Sequence, residues 1–207
     1  MAVRMPAHPL AQALLHEAGL PIAAPSANRS GRISPTEAAH VREELGDRVD
    51  MILDGGPCHV GIESTVVDVT GNVPVILRPG SVTWSNIEDQ MPNIKSSDVD
   101  IGHLPFDIRS PGQLASHYAP TTPVRLNATT VEADEALLAF GSQFPTGALH
   151  TQNLSPAGNL VEAAANLFRM LRILDAAEAR CIAVMPIPDE ELGLAINDRL
   201  KRAATPI

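Results

Sequence analysis

The sequence predicts an α/β protein in two parts joined by an irregular segment. Three observations carry that expectation. Apolar residues make up 44% of the 207 positions but aromatics only 3%; a core of Ala, Leu, Ile and Val suits helices laid on sheets better than an aromatic-rich sandwich. Short apolar runs alternate with stretches whose apolar residues recur at helical spacing. Between two such regions, from about Ser85 to Pro123, prolines at 92, 105, 111, 120 and 123 interrupt every period, as in an interdomain linker or a lid. The implied division is a first α/β part over 1–88, a linker or lid over 89–122, and a small, mainly parallel α/β domain over 123–207.

Met1–Arg4 reads as a strand. After Pro6 comes a helix with Leu10, Leu14 and Ala18 on one face, Pro9 in its first turn and Gly19 past its end. Ile22–Ala24 reads as a short buried strand and 25–33 as a polar loop. Ser34-Pro35-Thr36-Glu37 has the pattern of a capped helix start, and that helix stops at Gly46. Val49–Leu53 reads as a strand closed by Asp54-Gly55-Gly56-Pro57, and Ser64–Val69 and Val73–Arg78 as a hairpin about Gly71-Asn72. Beyond the linker, Val124–Leu126, Ala136–Phe140, Ala148–His150 and Cys181–Met185 are strand candidates. Asn159, with Glu162 completing a capping box, opens a helix striped by Leu160, Ala164, Leu167, Phe168, Leu171 and Leu174; Asp189–Ala204 is a terminal helix.

A formal net charge of −9 argues against stable nucleic-acid binding, which needs Lys and Arg to displace counterions. Cys58 and Cys181 lie far apart with no ligand spacing around them, so neither a disulfide framework nor a zinc site is expected and a reducing cytoplasm suits the chain. No apolar run reaches transmembrane length, and a membrane role is not expected.

Four motifs could carry chemistry. In Ala23-Ala24-Pro25-Ser26-Ala27-Asn28 small side chains admit a ligand to the backbone while Ser26 and Asn28 offer polar groups, and Ser34 stands at a helix start that favours anions. The same residues also serve as plain turn and cap formers. Glu63-Ser64-Thr65 places polar groups at the mouth of an apolar strand, which is equally the pattern of an ordinary strand edge. Arg78, before Pro79-Gly80, and Arg4 sit at strand ends where a guanidinium can clamp a phosphate or carboxylate, or simply form a surface ion pair. In Ser110-Pro111-Gly112-Gln113-Leu114-Ala115-Ser116-His117-Tyr118-Ala119-Pro120, His and Tyr could fold over a nucleotide or pack domain on domain. Walker, nucleophile-elbow and dinucleotide patterns are not found.

Together with Ala2-Val3-Arg4-Met5-Pro6, His8-Pro9, Ser34-Pro35-Thr36 and Ala195-Ile196-Asn197-Asp198-Arg199-Leu200, these motifs resemble the two-domain type of YrdC-like threonylcarbamoyl-AMP synthase, over nearly the whole chain. The resemblance implies a YrdC-like α/β domain, a linker and a small Rossmann-like α/β domain. It implies a cytoplasmic nucleotidyltransferase that joins L-threonine, bicarbonate and ATP, with Mg²⁺, into threonylcarbamoyl-AMP and pyrophosphate, for the downstream tRNA threonylcarbamoyl transferase machinery. Carried over by position, Arg4, Ala24 and Ser64 bind L-threonine; Ser26, Asn28, Ser34, Arg78, His117 and Tyr118 line the ATP subsite; no residue is a catalytic nucleophile or base. Arg4, Ser26, Ser64 and Arg78 are expected to converge on one cavity. Family members carry an upstream Lys-x-Arg motif and threonine-binding segment, which the residues from Met1 onward do not include. The resemblance therefore implies an N-terminally truncated domain, exposed apolar faces, and little synthase activity from this chain alone. A non-catalytic nucleotide-binding module is the alternative.

Overall fold

The computed structural model describes residues 2–96, 114 and 116–205. The expected mixture of helices and strands is present, and the described strands fall into two sheets. Of the motif at 110–120, Ser110, Pro111, Gly112, Gln113 and Ala115 lie outside the described residues.

The first helix forms where the sequence places it. Helix α1 (Pro9–Ala18) begins with Pro in its first turn, His8 Nδ1 accepting from the Leu10 N–H, and ends at Gly19 in the left-handed conformation. None of its residues is buried, and Leu10, Leu14, Val3, Met5, Leu20, Ile22, Met51 and Leu53 are exposed. The segments read as strands at 2–4, 22–24 and 49–53 are not strands. A strand exists only as part of a hydrogen-bonded ladder, and these backbones find no ladder among the described residues.

Helix α2 (Ala38–Leu45) starts later than expected, with Glu37 in the cap position and no side-chain cap bond. Ser34 does not cap it, because its hydroxyl donates to Glu63 Oε1 at 2.6 Å. The Thr36 N–H is taken by His40 Nδ1 instead. The hairpin is realised as β1 (Val66–Asp68) against β2 (Val75–Arg78), antiparallel, with the register slipping between Val66 and Val67. The stretch after Ser85 is less irregular than its prolines suggest. Helix α3 (Trp84–Glu88), capped by Thr83, and β3 (Lys95–Ser96), parallel to β2, complete the small sheet in the order β1-β2-β3.

The second sheet is wholly parallel. Strands β4 (Val124–Arg125), β5 (Ala136–Ala139), β6 (His150–Asn153) and β7 (Ile182–Val184) lie in the order β4-β7-β5-β6. The edge strand β6 is polar, His-Thr-Gln-Asn, and comes later than the apolar signal at 148–150 because its register with β5 begins at His150. Helix α4 (Leu160–Asp175) is capped by Asn159, whose Oδ1 accepts from Val161 and Glu162. Glu162 does not close a capping box; its carboxylate takes the Ser155 hydroxyl, and Ser155 Oγ accepts the Asn159 N–H at 2.9 Å. The predicted stripe of α4 supplies Ala164, Leu167, Phe168, Leu171 and Leu174 to the core beside Ile196 and Leu200 of α5 (Leu192–Ala203).

That core reaches across to the first part of the chain, since Ile33, Ile62 and Tyr118 belong to the same buried cluster. A close backbone approach occurs at Gly61, φ +74°. A methyl group there would fall 2.5 Å from the Ala164 carbonyl oxygen and 2.6 Å from Ala165 Cα. Loop 61–63 therefore rests directly on the backbone of α4. Gly61→Ala combines a disfavoured φ with a backbone clash and is expected to cost at least about 2 kcal/mol of unfolding free energy. Urea denaturation checks this; an unchanged midpoint would contradict it.

Candidate functional site

Strand β2 ends on Arg78, and the chain at once turns back under residues 63–65. Gly80 permits this, because a Cβ would lie 2.3 Å from the Thr65 nitrogen and 2.4 Å from the Glu63 oxygen. The buried Arg78 guanidinium donates to the Ser64 carbonyl from Nε at 3.2 Å and Nη2 at 2.9 Å. The Tyr118 phenol beside it favours its charge. An arginine foreseen as a clamp thus holds the exit of one predicted site strand against another predicted site residue.

Glu63 is the hub beside it. Its Oε1 accepts from Ser34, and its Oε2 accepts Arg199 Nε at 3.0 Å. Arg199 comes from α5 and its side chain is 0% exposed. Its Nη1 donates to the Pro79 carbonyl at 2.9 Å and to Asp198 at 2.7 Å, and its guanidinium carbon lies 5.5 Å from the centre of the Tyr118 ring. Tyr118 is 1% exposed and holds φ at 62°, a conformation rarely adopted by a bulky residue unless packing enforces it. That packing is visible: its ring lies 4.0 Å from the His117 ring, edge-on, and 5.3 Å from Phe168. The adjacent Ala119 pairs with Arg32 in an isolated bridge and donates to the Gly31 carbonyl at 2.8 Å.

Burial and the crowd of arginines tune the groups here. Burial holds the Arg78 guanidinium below its usual range, opposed by Tyr118, and pushes the Tyr118 phenol up, with Glu63 adding to it. Burial also lowers the His117 imidazole; Arg202, Arg78 and Arg199 lower it further against the opposing pull of Glu63. At Arg199 burial disfavours the charge, but Tyr118, Glu63 and Asp198 outweigh it and the guanidinium is raised.

Of the residues singled out in sequence, Ser34, Ser64, Arg78, His117 and Tyr118 are brought into this one cluster. Arg4, Ala24 and Ser26 are exposed, and no hydrogen bond or ion pair joins them to it among the described residues. Asn28 donates from Nδ2 to the Arg29 and Arg32 carbonyls, at 3.2 and 2.8 Å. Two buried side-chain atoms among the described residues have no partner, Asn28 Oδ1 and His117 Nδ1. Sequence reasoning gave no site role to Arg172, nor to Asp198 and Arg199, although these two stand in a motif that carries the resemblance. Arg199 lies on the buried face of α5 beside Ile196 and Leu200, and Arg172 is largely buried on α4, whereas charge on a helix normally means solvent. An open hollow of about 660 Å³ lies elsewhere, at the carboxyl ends of β4, β5 and β7, lined by Thr129, Thr130, Gln143 and Phe144 and by none of the predicted site residues.

Comparison with known proteins fits this architecture. Residues 82–205 match the family described as "Threonylcarbamoyl-AMP synthase, C-terminal domain", and residues 1–80 match one described as "Telomere recombination" that unites the Sua5, YciO and YrdC proteins. The chain belongs to the two-domain Sua5 family. The threonylcarbamoyl-AMP synthase of Bacillus subtilis is 38% identical over 99% of this chain, and that of Pyrococcus abyssi 35% identical over the same share. This chain spans 63% and 64% of those two relatives' lengths. The crystal structure of P. abyssi Sua5 complexed with L-threonine superposes with a TM-score of 0.87 at 33% identity, covering 97% of this chain and 63% of that one. A P. abyssi variant with an adjacent histidine and tyrosine both replaced by alanine superposes at 0.83, with 31% identity, covering 97% of this chain and 62% of that one. No helix among the described residues is long and apolar enough to cross a membrane.

A depressed histidine has a consequence for stability. His117 is held below 6.5, and so is His40, by burial first and then by Arg172. The unfolded chain then takes up protons more readily than the folded one. Stability is full above about pH 6.5 and is lost as pH falls below that value. Thermal melts at pH 7.5, 6.5 and 5.5 should show a falling midpoint, with a shallower fall in His117→Gln. Melts independent of pH across this window would contradict it.

Proposed function

We propose that this chain takes part in making threonylcarbamoyl-AMP from L-threonine, bicarbonate and ATP. The observation that carries the reading is the pair of unpartnered buried atoms, Asn28 Oδ1 and His117 Nδ1. Buried polar atoms without partners are rare and call for a reason. Both belong to residues that the family motifs assign to the nucleotide, where adenine N–H and ribose O–H groups would satisfy them. The His117-Tyr118 step contains the single tyrosine of the chain, and a histidine-tyrosine pair is the one altered in the Pyrococcus variant.

The chemistry asks for positioning and charge compensation and needs no protein nucleophile. The threonine amine forms an N–C bond to the bicarbonate carbon with loss of water. An oxygen of the resulting carbamate attacks the ATP α-phosphorus, and pyrophosphate leaves with the bonding electron pair. Arg4, Ala24 and Ser64 would hold threonine, while Ser26, Asn28, Ser34, Arg78, His117 and Tyr118 would surround ATP. Among the described residues no three His, Cys, Asp or Glu side chains gather into a metal site. Glu63 in particular is occupied by Ser34 and Arg199. No carboxylate cluster among the described residues offers Mg²⁺ a protein-built cage, so the ion would come with ATP and offset phosphate charge there. The product would pass to the tRNA threonylcarbamoyl transferase machinery in the cytoplasm, and the acidic balance gives no reason for this chain itself to hold RNA.

Calorimetry with ATP and a pyrophosphate-release assay test the proposal together. One-to-one ATP binding is expected, with slow release that requires both L-threonine and bicarbonate. Asn28→Ala and His117→Ala should each weaken ATP binding by about tenfold, the worth of one good hydrogen bond. Binding with no threonine-dependent release points to the non-catalytic module. No ATP binding overturns both.

A further inference from the structure

Two arginines of the C-terminal part reach across to the predicted pocket without facing a ligand themselves. Arg199 from α5 carries no exposed surface and spends its donors on Glu63, on the Pro79 carbonyl and on Asp198. Arg172 from α4 donates to the Ile33 carbonyl and to Glu44, and approaches the Ser34 carbonyl at 3.5 Å. Their targets are the two segments that present Ser34 and Ser64. Glu63 ties those segments together, since one of its oxygens holds the Ser34 hydroxyl and the other holds Arg199. Pro79, the residue after Arg78, is fixed by the same guanidinium. Arg199 thus braces both the carboxylate that holds Ser34 and the residue that follows Arg78.

We propose that Arg199 is a positioning residue for the nucleotide pocket, acting through Glu63 and Pro79, and that Arg172 does the same for Ser34. The C-terminal part is thereby a working component of the site. This rests on the nucleotide reading above. A lysine cannot replace the guanidinium, because a single ammonium lacks the fork that serves Glu63, Pro79 and Asp198 from one plane. Loss of the fork would leave Glu63 free to swing and Ser34 without a fixed acceptor.

The test separates positioning from plain stability. The full chain is titrated calorimetrically with ATP as wild type, Arg199→Lys and Leu137→Ala. Leu137 is wholly buried in the small apolar cluster formed with Ala128, Ala139 and Ala183, so its truncation loosens the same part of the protein without touching Glu63. Arg199→Lys should raise the ATP Kd at least tenfold, and Arg172→Lys should follow in the same direction. Leu137→Ala should change Kd less than twofold despite an equal or larger drop in thermal midpoint. Equal Kd values for wild type and Arg199→Lys, or an equal loss in Leu137→Ala, overturn the inference. If Arg199→Lys does not fold, the double variant Arg199→Met/Glu63→Gln, which removes both charges together, is titrated instead. Wild-type affinity in that variant contradicts the role, and a tenfold loss supports it. A wild-type chain that binds no ATP removes the nucleotide reading itself, a result distinct from an Arg199 variant that binds normally.

Discussion

The ion pair between Arg199 and Glu63 is the constraint on which the remainder of the site depends. A guanidinium with 0% of its side chain exposed is tolerable only where its hydrogens are taken up and its charge is met. Here Glu63, Asp198 and the Pro79 carbonyl do both, under the face of Tyr118. Removing one partner would strand charge in the interior, a far larger penalty than the pair's net contribution. The pair therefore constrains geometry more than it adds stability, and it bears on the carboxylate that holds Ser34 and on the residue that follows Arg78.

Close backbone approach makes the pair possible. Gly61 lies on the carbonyls of α4 and Gly80 lies under residues 63–65, neither with room for a methyl group. Tyr118 keeps its unfavourable φ because Phe168, His117 and Arg199 leave its ring no other position. The molecule is consequently uneven. It is tight from Glu63 through Tyr118 to α4 and α5, and thinly packed around α1, where no residue is buried and Val3 and Met5 keep 86% and 85% of their surface exposed. Local stability follows buried contacts, so the first residues are the part with least to hold them.

Much of this was legible in the sequence where one local rule decides the outcome. The α4 stripe, the Asn159 cap, Gly19 after α1 and the hairpin before Arg78 each rest on neighbours in the chain. The misreadings came where a distant partner decides. Ser34 looks like a cap but gives its hydroxyl to Glu63, and Glu162 looks like half of a capping box but takes Ser155. Residues 2–4, 22–24 and 49–53 have strand composition without a ladder. Residues that stand in one cluster and advertise themselves by motif, such as Arg78 and the His117-Tyr118 step, were singled out. Arg199 and Arg172 were not, because a charge on a helix betrays its burial only once the surface it meets is known.

If the cluster around His117 and Tyr118 is the nucleotide's place, ATP must be felt there first. Histidine-labelled protein offers seven imidazoles to compare, and nuclear magnetic resonance during an ATP titration reads them side by side. The account predicts that the His117 resonances move saturably with one equivalent of ATP while those of exposed His150, on the far edge strand, stay still. Movement at His150 with His117 unchanged would contradict it.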